Sequence, residues 1–138
     1  MNELKTGSVL QGGKYRIERV LGQGGFGITY MATQIALNRK VAIKEFFMKE
    51  LCNRDNTTSQ VSVPSIGSQD IVDRFRAKFV KEAQTIATLD NPHIIRIYDI
   101  FTENGTAYYV MDYIGGGSLT NIVEQDGPMS ESVAISFI

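Results

Sequence analysis

The sequence predicts an α+β fold, a five-stranded antiparallel sheet with one major helix, and three observations lead there. Between Tyr15 and Met111 there are five short runs rich in β-branched and aromatic residues, broken by glycine and Asn-Gly turns. The first reversal is glycine-rich, Leu21-Gly22-Gln23-Gly24-Gly25-Phe26-Gly27, and strand formers rather than a helical pattern follow it, so the glycines join two antiparallel strands. One stretch only, about Asp70 to Leu89, repeats its apolar residues at helical spacing over several turns.

Residues 1–14 are polar, with Gly12-Gly13, and read as an irregular arm. In the first strand Tyr15, Ile17, Arg19 and Leu21 fall on one face, and Arg16, Glu18 and Val20 on the other. Ile28 to Thr33 forms the second strand. After a turn at Leu37-Asn38-Arg39, Lys40 to Lys44 forms the third, with Val41 and Ile43 on one face and Ala42 and Lys44 on the other. Residues 49–69 lose periodicity and read as a long inserted loop in which Val61 and Val63 could make a short strand. Asp70 fits an N-cap and Asp73 a first-turn carboxylate.

The helical stripe is Ile71, Phe75, Phe79, Glu82, Ile86 and Leu89. A carboxylate inside an apolar stripe is unfavourable unless a cation meets it, and Lys44 is the best partner, since Lys78 and Lys81 fall on other faces. The alternative is a solvated glutamate at the stripe's edge; the large apolar groups on both flanking turns argue against it. Asn91-Pro92 ends the helix. Ile94 to Phe101 and Thr106 to Met111, joined by Asn104-Gly105, make the last hairpin, apolar on both faces and therefore buried. Asp112 to Leu119 leaves as a glycine-rich connector. A short helix over Leu119 to Val123, a turn at Gly127-Pro128 and a helix begun at Ser130 follow. An end inside an apolar helix reads as that of a fragment.

Composition narrows the function. The 138 residues are 43% hydrophobic and 21% charged with a net charge of -1, values of an ordinary globular domain and not of a basic nucleic-acid binder. The one cysteine, Cys52, excludes an internal disulfide and reads as an incidental thiol in a polar stretch; a reducing, cytoplasmic setting is expected. No apolar run approaches the roughly 18 residues of a membrane span. His93 stands alone, so its role reads as structural, and no metal-ligand cluster is evident. The chemistry is concentrated at Gly22, Gly24 and Gly27, in G-x-G-x-x-G spacing, and at Lys44. Glycines let a backbone approach a phosphate, and the lysine brings a cation to the same place. The motif alone is weak. Its dinucleotide-binding version requires a helix after the glycines, which is missing, but a glycine hairpin with no ligand remains open at this point.

In combination these residues resemble the protein kinase family, specifically its smaller N-terminal lobe, and most of all bacterial serine/threonine kinases. The resemblance spans Tyr15 to Ile138. It rests on the glycine-rich loop Leu21–Tyr30, Val41-Ala42-Ile43-Lys44, Glu82 in the helix, the spacing from Glu82 to Leu89, Asn91-Pro92 and Ile94, and the strand and hinge from Ala107 to Gly117. It implies a lobe over 15–111 with an insertion at 49–69, a hinge at 112–118 and the start of a C-terminal lobe at 119–138. It implies ATP as ligand and a protein hydroxyl as the acceptor of its γ-phosphate. Gly22, Gly24, Gly25 and Gly27 would fold over the phosphates with Phe26 at the tip, and Lys44, held by Glu82, would contact the α- and β-phosphates. Leu21, Thr29 and Ala42 would line the adenine slot, and Met111 would be its gatekeeper. The Asp112 carbonyl and the Ile114 amide would bond the adenine edge, and Ser118 the ribose. Ile86 and Ile97 would belong to an apolar column linking helix and sheet.

The sequence departs from the family in several ways. Thr29 stands where valine is usual, Asn91-Pro92-His93 where His-Pro-Asn is usual, and Glu82 follows Lys44 by 38 positions (82 − 44), a long interval. No His-Arg-Asp catalytic loop and no Asp-Phe-Gly motif occurs, so the base and the Mg²⁺ ligands would belong to a C-terminal lobe absent from this chain. The expectation is an ATP-binding lobe that is inactive by itself, with a regulatory pseudokinase lobe or an interaction domain as alternatives. Val133, Ile135, Phe137 and Ile138 would be exposed by the truncation and favour self-association.

Overall fold

At Gly12-Gly13, Asn38 and Asn104-Gly105 the chain reverses on a glycine or asparagine of positive φ, and the strands flanking each turn pair. The computed structural model describes residues 2–88 and 96–113. In chain order the elements are β1 (Val9–Leu10), β2 (Tyr15–Gln23), β3 (Gly27–Gln34), β4 (Arg39–Phe46), β5 (Asn53–Arg54), β6 (Val61–Ser62), α1 (Gln69–Ala87), β7 (Ile97–Glu103) and β8 (Thr106–Asp112). The main sheet has the order β1-β2-β3-β4-β8-β7, with every neighbouring pair antiparallel, and β5 pairs with β6 apart from it.

The sheet thus has six strands rather than the expected five. The sixth comes from the arm read as irregular. Gln11, Gly12 and Gly13 take positive φ, which folds Val9 and Leu10 back against Arg16 and Tyr15. Leu4 and Leu10 enter the core at 3% and 1% exposure. A two-residue strand is too short to show a period. The expected alternation along β2 also fails beyond Ile17. The register shifts between Ile17 and Arg19 and again between Val20 and Gly22, so Arg19 is exposed while Tyr15 and Ile17 are buried.

The two faces of β4 and β8 divide the core. Val41, Ile43, Tyr108 and Val110 join Tyr15, Ile17, Tyr30 and Phe47 on one side, while Ala42, Tyr109 and Met111 meet Ala83 and Ile86 of α1 on the other. Phe79 bridges aromatic groups of both strands, with ring centroids 5.6 Å from Phe46 and 5.0 Å from Tyr109.

The helix differs from expectation in its cap and its face. Ser68 is the N-cap residue, at the end of a 3-10 turn over Ile66–Ser68, and Asp70 lies in the first turn, where its charge favours the helix dipole. Ile71 and Phe75 are 41% and 39% exposed. Ile86 of the expected stripe is buried, but its buried companions are Val72 and Ala83, and Val72 joins the cluster of Phe46, Phe47 and Cys52. Leu89, Asn91-Pro92-His93 and Ile94 fall outside the described residues, as do the connector beyond Tyr113, the short helices and the apolar end at Val133 to Ile138.

The insertion is built rather than loose. Asp55 Oδ1 accepts the amides of Thr57 and Thr58 at 2.7 and 2.9 Å, closing the β5–β6 turn. Cys52 is 4% exposed in the core, not incidental in a polar stretch, and burial pushes its thiol pKa up. The Val61 amide donates to the Asn104 carbonyl at 2.7 Å, which seats β6 on the β7–β8 turn. Gly105 there has φ +72°, and a Cβ would stand 2.7 Å from the Val61 carbonyl oxygen. Gly105→Ala is therefore expected to destabilise the domain by about 1–3 kcal/mol, read from urea unfolding.

Candidate functional site

β4 lies inside the sheet, so its side chains are aimed by neighbours on both sides. Lys44 is opposite Thr29 on β3 and Tyr109 on β8. Gly27, where β3 begins, passes over it. A Cβ at Gly27 would lie 3.0 Å from both Lys44 Cε and the Glu45 carbonyl, so only glycine allows this approach without displacement. At Gly22, Gly24 and Gly25 a Cβ would meet nothing within 4 Å. The loop is nonetheless tied down. The Gly24 amide donates to the Gly27 carbonyl at 2.9 Å, and the amides of Phe47 and Lys49 donate to the carbonyls of Phe26 and Gly25, each at 3.0 Å. The glycine loop thus rests along the chain that leaves β4.

Beneath it is a cavity of about 280 Å³ lined by Phe26, Lys44, Phe46, Phe75, Lys78, Phe79 and Glu82. Lys44 and Glu82, distant in sequence, meet here. Burial lowers the Lys44 ammonium to a pKa of about 8, and the Glu82 charge opposes that shift. The same charge, added to burial, pushes the Tyr109 hydroxyl well up. Glu82 itself is exposed rather than sunk in an apolar stripe, since the helix face that packs on the sheet runs through Ala83 and Ile86.

Sequence reasoning missed four residues of this cavity, Phe46 at the end of β4 and three on α1. Phe75 and Phe79 were legible only as core, yet Phe75 holds the tip of the glycine loop, its ring centroid 5.4 Å from that of Phe26. Lys78 was assigned to another face, but it lines the cavity four residues before Glu82. The helical spacing itself was the available signal.

Leu21, Thr29, Ala42 and Met111 lie along the same side of the sheet. Ala42 and Met111 are cross-strand partners, each 0% exposed, and Leu21 packs against their cluster. Thr29 is 5% exposed opposite Lys44, and Ile86 and Ile97 belong to the cluster with Met111. Asp112 is held by its side chain. The Arg96 amide donates to Asp112 Oδ2 at 3.1 Å and the Tyr98 hydroxyl donates to Oδ1, while the Asp112 amide donates to the Arg96 carbonyl at 3.1 Å. Ile114 and Ser118 are outside the described residues.

Chemically, the arrangement offers a half-buried cation, Lys44, a carboxylate that tunes it and a loop whose glycine backbone is bare. This suits a polyanion. Among the described residues no group of three or more histidine, cysteine or acidic side chains could hold a metal ion, so the residues present do not fit Mg²⁺ on their own. No helix among them is long and apolar enough to cross a membrane.

Known proteins share this pattern. The protein kinase domain family matches residues 15–138. The serine/threonine-protein kinase PrkC of Bacillus subtilis (strain 168) is 33% identical over 126 residues, covering 91% of this chain and 16% of that protein. The serine/threonine-protein kinase PknB of Mycobacterium leprae (strain TN) is 33% identical over 129 residues, covering 91% and 18%. Among solved structures, the apo form of PpkA-294 superposes with a TM-score of 0.81 at 28% identity, covering 91% of this chain and 43% of that one. The chain spans about a sixth of the length of the curated relatives it matches. With the match running through the glycine loop, Lys44 and Glu82, the chain belongs to the protein kinase family, among relatives that are bacterial serine/threonine kinases.

Proposed function

We propose that this chain is the ATP-binding lobe of a serine/threonine protein kinase. One observation carries the reading: Lys44 and Glu82 share a cavity directly under a glycine loop in which only Gly27 is required by packing. Bare backbone at Gly22, Gly24 and Gly25 serves approach from outside, and Phe26 caps the loop. Lys44 binds the α- and β-phosphates, with Glu82 favouring its charged form. Leu21, Thr29, Ala42 and Met111 receive the adenine, whose edge bonds to the backbone at Asp112 and Ile114, with Ser118 at the ribose. Mg²⁺ would neutralise charge on the phosphates, and among the described residues no cluster of ligands would hold it. The 138 residues contain no His-Arg-Asp and no Asp-Phe-Gly sequence, so the chain by itself binds ATP without transferring phosphate. A protein substrate is the partner of the whole kinase, which works where ATP is supplied, in the cytoplasm.

The test is an ATP titration by calorimetry across pH. Folding lowers Lys44 to about 8, so the ammonium that attracts phosphate is present at pH 7 and mostly gone at pH 9. Affinity is expected to fall about tenfold between those values, because about one lysine in ten stays charged one unit above its pKa. Absence of binding at pH 7 would overturn the reading.

A further inference from the structure

Glu45 follows Lys44 on β4 and therefore points to the opposite face, into the core at 0% exposure. Three donors from three separate elements surround its carboxylate. The Tyr30 hydroxyl of β3 donates to Oε1 at 2.8 Å, the Tyr108 hydroxyl of β8 donates to Oε2, and Arg54 Nη2 of β5 donates to Oε1. The Arg54 side chain is 3% exposed, so this is a buried ion pair. Its other nitrogens are also engaged. Nε donates to the Asn2 carbonyl at 2.7 Å and Nη1 to the Ser59 carbonyl at 2.8 Å, while the guanidinium lies 5.4 Å from the centroid of the Phe47 ring. The Leu4 amide donates to the Tyr30 hydroxyl at 2.9 Å, and Asn104 Nδ2 donates to the Tyr108 hydroxyl at 3.0 Å. Among the described residues no buried side-chain polar atom lacks a partner.

We propose that Glu45 and Arg54 are positioning residues for nucleotide binding: their ion pair fastens the insertion to the back of β4 and thereby holds Lys44 under the glycine loop. Two apolar side chains could fill the same volume without desolvating two charges, and such replacements are commonly as stable as the pair. What they would not supply is direction. Three hydrogen bonds onto one carboxylate fix the tilt of β4 at the peptide that joins Lys44 to Glu45, and Lys44 inherits that tilt on the other face. Arg54 is the component that the insertion contributes. Without it the carboxylate is left buried beside two hydroxyls, and β4 must roll to bring it toward water.

The inference rests on the ATP-binding reading, and the test separates the two. Three proteins are compared as full chains: wild type, Arg54→Met, and the double substitution Glu45→Leu with Arg54→Met. Each is followed by thermal unfolding, by calorimetric titration with ATP alone, and by NMR titration of the Lys44 side chain. Arg54→Met is expected to lower the melting temperature sharply, and the double variant to recover part of it, the remainder being lost with the acceptor of the Tyr30 and Tyr108 hydroxyls. The double variant, although folded, is expected to bind ATP at least about fivefold more weakly, a shift that a merely structural pair would not produce. Its Lys44 midpoint is expected to move up from about 8 toward the ordinary lysine value as the ammonium gains water. If Arg54→Met does not fold, the double variant carries the comparison. A double variant with wild-type ATP affinity and an unmoved Lys44 midpoint overturns the proposal. A wild type that binds no ATP, but whose Lys44 midpoint still moves in the double variant, overturns the ATP reading and leaves the positioning role standing.

Discussion

Lys44→Met is expected to weaken ATP binding by at least about thirtyfold and to leave the domain at least as stable as before. The two effects have one origin. Burial has lowered the Lys44 pKa to about 8, so at pH 7 the fold carries a charged group in a poorly hydrated place. The folded pKa lies below the ordinary lysine value, so the unfolded chain binds the extra proton between pH 8 and about 10.4. Wild-type stability therefore rises with pH across that window, and below it the charge destabilises. Methionine fills similar space without the charge and removes both the penalty and the pH-dependent rise. Glu82 is exposed and tolerates losing its partner to water. Phosphate loses its cation, and removing one member of a close charge pair costs about 2–5 kcal/mol of binding, a factor of about 30 to several thousand. Calorimetry and thermal unfolding of the same sample check both halves. A variant that binds ATP normally would remove Lys44 from the site.

Deleting Met1–Leu10 is expected to destabilise the domain severely, although the family match begins only at residue 15. Leu4 and Leu10 are 3% and 1% exposed, and burying each contributes about 1.5–3 kcal/mol. The deletion also removes β1 and its pairing with β2 at Tyr15 and Arg16. It takes away the Leu4 amide that donates to Tyr30 and the Asn2 carbonyl that accepts from Arg54. A loss of about 3–6 kcal/mol from the leucines alone is a large part of the 5–15 kcal/mol that holds a typical domain. The melting temperature should fall by more than about 10 °C. An unchanged melting temperature would show that the arm is ornamental.

The sequence made the fold class plain because its signals are local. β-Branched runs, two glycine-rich reversals and one helical stripe each declare themselves within a few residues. What it hid depends on contacts that only the folded chain makes. The arm's strand was illegible because Val9 and Leu10 are too few to alternate. The face of α1 was misread at its N-terminal half because the insertion, not the sheet, decides that Val72 rather than Ile71 is covered. Bulges in β2 turned Arg19 outward against a regular two-residue period. At the candidate site, the meeting of Lys44 with Glu82 could be inferred from a carboxylate in an awkward place. The awkwardness itself was overstated, for Glu82 is exposed. The Glu45–Arg54 pair left no trace in the linear pattern. Glu45 directly follows Lys44 in sequence, and Arg54 stands in a polar stretch without periodicity.

The strand order has a consequence for how the domain comes into being. β8 lies between β4 and β7, so the central pairing of the sheet waits for the last strand described. Glu45 and Tyr108, hydrogen-bonded in the finished fold, are 63 residues apart in the chain. During synthesis, β2, β3 and β4 can assemble as a meander as soon as they emerge, but the inner edge of β4 stays bare until residues 106–112 arrive. Loop closure over such a distance is slow compared with hairpin formation. The insertion and the helix are made in that interval. Tyr30 is already in place when Glu45 emerges, and Arg54 is synthesised long before Tyr108, so the nascent domain can give its buried acid a hydroxyl and a cation before the sheet is whole.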